Sequence, residues 1–190
     1  MLVAILLILL MFLAVPGQAF VPEVPILYGA MVPLVPILVF YVAAAYSLPL
    51  ALLASAGVGL FWDALWGLLL PEGPSIPLGF TMLCLGMACT VYHLAAFEKQ
   101  HRNLISYSLL CGGGVLALQI AEFLWVTLNS ETFRFPGSFM QVGVYQRMLW
   151  SSLMALLAAP LVYGFFALLG AGRAAESEEG EGEALNSFAK

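Results

Sequence analysis

Four polar side chains stand inside otherwise apolar runs, and any chemistry in this sequence would start from them: Asp63, Gln119, Glu122 and Arg147. Asp63 is the only charge between Leu50 and Leu70 (LALLASAGVGLFWDALWGLLL). A carboxylate deep in a bilayer costs about 2.5–3.5 kcal/mol on insertion scales, so it faces a partner or a cavity rather than lipid. Glu122 has Gln119 one turn away, and Arg147 opens the last apolar run. An Arg facing two acids makes a buried charge cluster, because each unpaired charge would otherwise carry a large desolvation cost. The alternative is an Arg147 that snorkels to the surface while the two acids face separate, wet crevices.

Paired carboxylates also serve as general acid and base, but only with a bound substrate and tuned proton affinities. No nucleophile motif, phosphate loop or metal-ligand spacing accompanies them here, so the sequence is read as non-enzymatic, with no cofactor and no metal. His93 stands alone toward one end of its apolar run and His101 lies in a basic connection, which leaves no second ligand for a metal. Cys84, Cys89 and Cys111 are odd in number and lie in apolar segments, where they act as small hydrophobes.

The elements that must position these groups are membrane helices. Apolar residues make up 63% of the chain, charged residues 9%, and the mean hydropathy is +1.01. A soluble chain of this size cannot hide that much apolar surface. The net charge of −5 misleads, since Glu176, Glu178, Glu179, Glu181 and Glu183 sit together in a C-terminal tail. The remainder is close to neutral, which removes the electrostatic case for nucleic acid.

Length and hydropathy predict six spans, at Leu2–Phe20, Met31–Ser47, Leu50–Leu70, Pro77–Phe97, Leu104–Leu128 and Gln146–Leu169. Residues 1–169 then form a six-helix transmembrane domain, and 170–190 a disordered acidic cytoplasmic tail. The first run lacks the Lys or Arg that would precede a signal-peptide core, so it is read as a retained span. Pro33 and Pro36 make the second span begin late or lie at an angle. Ser47–Pro49 leaves almost no loop, which predicts a tight antiparallel hairpin. Lys99 and Arg102 between spans four and five, and Arg173 after span six, orient the bundle by the positive-inside rule with both termini cytoplasmic.

Small residues recur at helical spacing on spans three and four, at Ala51, Ser55 and Gly59 and at Gly79, Gly86 and Thr90. Such spacing lets helices approach closely in lipid, so this is the candidate helix-packing face. Three consecutive glycines, Gly112–Gly114, weaken a helix by up to about 1 kcal/mol each relative to alanine and mark close packing or a bendable point. Trp62, Trp66, Trp125 and Trp150 fit either an interfacial or a packing role.

The stretch VPLVPILVFYVAAAYSLPLALLASAGVGLFWDALWG resembles the second and third spans of the MreD family, the rod-shape-determining membrane proteins of bacteria. The shared features are a Pro-led apolar span, a short turn after Leu-Pro, and a Gly-containing span with a central Asp, here Asp63. A Leu-Gly opens the next span, matched by Leu78 and Gly79 after Pro77, and AEFLWV around Glu122 matches a polar position in the fifth. The loop 70–76 is longer than the family's usual turn, and the acidic tail is not a family trait.

The resemblance implies a compact all-α bundle of about six transmembrane helices in the bacterial inner membrane, in contact with membrane lipids. Its plan is similar to that of the substrate-binding subunits of energy-coupling-factor vitamin transporters. It further implies a scaffold of the cell-elongation complex that makes peptidoglycan, with an MreC-like single-span protein, MreB, RodA and a penicillin-binding protein as partners. The alternative function is such a vitamin-binding subunit, with a small ligand in the polar layer around Asp63, Glu122 and Arg147. Small-residue faces on spans three and four are the candidate partner-docking surface.

Overall fold

A computed structural model describes residues 2–69, 77–97, 104–129 and 142–168, and the structural observations concern these residues. The acidic tail, the basic connection 98–103 and the loop 70–76 lie outside them. The fold is all-helical: α1 Leu2–Gln18, α2 Leu34–Ala45, α3 Leu48–Leu69, α4 Phe80–Phe97, α5 Leu104–Asn129 and α6 Val142–Leu168. Between α1 and α2 the chain makes a single 3-10 turn at Pro25–Leu27 and an isolated β-bridge, Val24 to Ala30.

Three helices carry segments long and apolar enough to cross a membrane: Leu48–Leu68, Leu104–Leu128 and Gly143–Leu168. The second predicted span contains a helix of only 12 residues. At 1.5 Å per residue it is about 18 Å long, well short of the roughly 30 Å of a hydrocarbon core. The prolines explain its late start. Pro33 takes the N-cap position and Pro36 the first turn, where a missing N–H costs no intrahelical bond. Only Tyr46 and Ser47 separate α2 from α3, and the two helices pack as the expected hairpin.

This short helix is the axis of the molecule. Every residue from Val35 to Ala44 is buried, as expected for a helix that is apolar all round and enclosed by others. The remaining helices surround it in the order α1, α3, α4, α5, α6, each packed on α2 and on the next in the ring. The ring is open at one place. Helices α1 and α6 both touch α2 but hardly touch each other, and a groove of about 450 Å³ runs between them over Leu34, Ile37 and Leu38.

Aromatic packing pins α2 to α5 and α6. Tyr41 stacks on Phe166 at 4.6 Å between ring centroids and meets Tyr107 and Tyr163 edge-on, each at 6.1 Å. The Tyr107 hydroxyl donates to the Ile37 carbonyl oxygen at 3.0 Å. A buried phenol thus gains a partner, and α5 gains a directional tie to the central helix.

Candidate functional site

Asp63 lies on α3 and is 7% exposed. Its Oδ2 accepts hydrogen bonds from the backbone N–H of Gly79 at 2.8 Å and of Thr81 at 3.1 Å. Both belong to the start of α4, where Gly79 is the residue whose carbonyl accepts the first helical bond, from Leu83 N–H at 3.0 Å. The first N–H groups of a helix have no partner within it, and the helix dipole favours negative charge there. Asp63 therefore caps a helix to which it does not belong. Gly79 adopts φ +91°, a conformation glycine reaches without steric cost, and this turns its N–H toward the carboxylate.

Glu122 on α5 lies close enough to Asp63 for the two carboxyls to interact electrostatically, and the Cys84 thiol on α4 is near both. Glu122 makes no hydrogen bond or ion pair among the described residues. Around this layer, Asp63 Oδ1, Thr81 Oγ1, Trp66 Nε1 and Gln119 Oε1 are buried without a hydrogen-bond partner. Gln119 borders a cavity of about 110 Å³ that is also lined by Gln18, Met31, Pro33 and Trp62.

Arg147 does not join the acids. Its guanidinium pairs with Glu23 at 2.9 Å, both side chains about half exposed, and this corrects the cluster expected from the sequence. The physical reason is solvation. A guanidinium near the start of α6 reaches the loop before α2, where both side chains stay about half exposed, whereas burial beside Asp63 would strip its solvation. Glu23 was missed because nothing local links positions 124 residues apart.

Gln18 was missed as well, although it is the one strongly polar side chain of α1. Its Oε1 accepts from Leu34 N–H at 2.7 Å and its Nε2 donates to the Val32 carbonyl at 2.9 Å. It does for α2 what Asp63 does for α4, satisfying the first turn of a helix from a neighbouring one. The available signal was a lone glutamine ahead of a proline-led span.

The small residues lie along the α3–α4 seam. A Cβ built on Gly59 would stand 2.5 Å from the Met82 backbone, and one on Gly86 would stand 3.5 Å from Ser55 Oγ. Ala51 and Ser55 are fully buried. This seam is filled within the chain, so as a partner-docking surface it is already occupied. The glycine triplet divides its duties: Gly112 faces Leu156, Gly114 faces the Phe40 ring, and Gly113 has nothing within 4 Å.

Among the described residues no three His, Cys, Asp or Glu side chains converge on a metal position. Chemically, the site is a carboxylate that organises backbone amides, with a second carboxyl and a glutamine beside it. No family model, no curated protein and no solved structure matches the chain.

Proposed function

We propose that the chain is a non-enzymatic scaffold of the MreD kind, held by six spans in the bacterial inner membrane with both termini cytoplasmic. It docks an MreC-like single-span protein and, with it, MreB, RodA and a penicillin-binding protein. One observation carries the reading: the bond from Gly79 N–H to Asp63. The central Asp of the third span and the Leu-Gly opening the fourth are separate parts of the sequence resemblance. In this chain they are hydrogen-bonded partners. The most distinctive carboxylate thus serves architecture, holding α4 against α3, and its bonding oxygen is already committed to the backbone.

The transporter reading draws on the polar cavity beside Gln119. At about 110 Å³ it is well below the roughly 300–1,000 Å³ typical of organic-ligand pockets, which favours the scaffold. With the α3–α4 seam occupied, the groove between α1 and α6 is the face on which this reading places the partner's span.

Affinity purification from gently solubilised native membrane tests the proposal. Recovery of a single-span coiled-coil protein with cell-wall synthases is the expected outcome, cross-linking to a photoreactive residue at Leu161 in the groove. Recovery of paired ATPases with a larger coupling subunit would instead establish the transporter reading.

A further inference from the structure

The loop between α1 and α2 exposes large apolar side chains on an ordered backbone. Ile26 is 89% exposed, Phe20 85% and Tyr28 54%. An apolar tip of this kind in water would be a standing cost, so the question is what covers it. We propose that this tip, Phe20 to Tyr28, is seated in the headgroup and acyl boundary of the adjacent lipid leaflet and anchors that end of the bundle. The proposal rests on the reading that the long helices cross a membrane.

Three independent features favour lipid over a protein partner. The first is the backbone. Pro22 and Pro25 have no N–H to satisfy, and the N–H groups of Val24, Leu27, Tyr28, Gly29 and Ala30 all donate within the loop, to the carbonyls of Ala30, Val24, Pro25, Val24 and Leu27. A segment with most of its donors already used, all but those of Glu23 and Ile26 between Phe20 and Ala30, loses less on leaving water, which is the condition lipid imposes on backbone. The left-handed Tyr28 (φ 57°) and Gly29 (φ 75°) close the turn that makes this pairing possible.

The second feature is charge. The tip carries no Lys or Arg, and its one acid, Glu23, is neutralised by Arg147 at 2.9 Å. Half-exposed side chains on that pair fix the water edge, so the insertion is shallow. The third is continuity. Leu9 and Leu13 are 63% and 68% exposed on α1, and Phe20, in the turn just past the end of that helix, is exposed as well. Tyr28 then has the amphipathic ring that prefers the headgroup level.

Depth measurement by spin labelling tests this. Ile26→Cys and, as a lipid reference, Leu13→Cys are labelled in a chain lacking Cys84, Cys89 and Cys111. Each is reconstituted in phosphatidylethanolamine and phosphatidylglycerol vesicles, and collisions with oxygen and with a water-soluble nickel chelate are compared. The expected result is oxygen access with nickel access several-fold below that of free label in buffer, at both positions. Full nickel access at position 26 with a lipid-like Leu13→Cys overturns the anchor and leaves the membrane reading intact. Shielding of position 26 from both reagents identifies a protein contact and also overturns it. A water-like Leu13→Cys removes both. If the cysteine-free chain fails to fold, a fluorescent noncanonical residue at position 26 of the natural sequence gives the same depth by quenching with brominated lipid.

Discussion

Asp63 bonds the N–H of Gly79 and Thr81 through a single oxygen, so the consequence of losing it follows from what those amides would then face. Asp63→Ala leaves two buried donors without an acceptor and is expected to cost roughly 2–4 kcal/mol. Asp63→Asn keeps an acceptor oxygen without the charge and should cost less, about 1–2 kcal/mol. Unfolding by titration into denaturing detergent distinguishes the two, and equal stability of both variants with the natural chain would remove the cap from the argument. Arg147 stands at the other extreme. Its partner Glu23 is about half exposed, and exposed ion pairs contribute roughly 0–1 kcal/mol, so Arg147→Ala should unfold within about 1 kcal/mol of the natural chain. A loss well beyond that would show that Arg147 supports more than the loop.

Among the elements, α2 and the α3–α4 seam bear most of the packing. Phe40 has no exposed surface, and its ring lies where a Cβ on Gly114 would stand, 2.6 Å away. Phe40→Ala is expected to cost about 3–5 kcal/mol, the usual range for emptying a buried aromatic site. The glycines provide an internal comparison within one experiment. Gly59→Ala pushes a methyl into Met82 backbone that cannot swing aside, and overpacking of this sort costs about 1–3 kcal/mol. Gly113→Ala meets open space and improves helix propensity by up to about 1 kcal/mol, so it should be neutral or stabilising. If both glycines tolerated alanine equally, the tight α3–α4 approach would be wrong.

At the scale of the whole molecule, the described residues form a ring of five helices around a short sixth, and the short helices need help that long ones do not. Helices α2 and α4 begin inside the bundle, and each has its first turn satisfied by a side chain of a neighbour, Gln18 or Asp63. That arrangement gives a purpose to polar residues in a membrane chain without invoking catalysis. The proposed six-span arrangement would put positions 143 and 100 on opposite faces of the membrane. A cysteine replacing Gly143 should therefore react with an impermeant maleimide from the outside of intact cells, and one replacing Gln100 only after lysis. The same face for both positions would reject the six-span arrangement.

How much of this was legible in the sequence follows from what apolar composition can report. The apolar runs predicted six spans; a helix forms in each of these regions among the described residues, because length and hydropathy are local properties of the chain, but only three of the helices are long and apolar enough to cross a membrane. Breaks at Pro33 and at Ser47 were equally local, as were the small-residue spacings and the depth of Asp63 in its run. What composition could not report is which face of each helix turns inward. In a soluble protein the apolar stripe marks the core, but in lipid both environments are apolar and the stripe vanishes. Apart from Gln18, helices α1 and α2 are both apolar, yet Leu9 and Leu13 lie on the surface while all of Val35–Ala44 is enclosed. The polar partners were hidden for a related reason. Asp63 and Gly79 are 16 residues apart and Arg147 and Glu23 124 apart, and no periodicity joins them. The sequence alone determined that there are helices, where they break and that Asp63 needs a partner. Only the tertiary structure decided that the partner is the start of α4, because that choice depends on which helix ends the packing brings within about 3 Å.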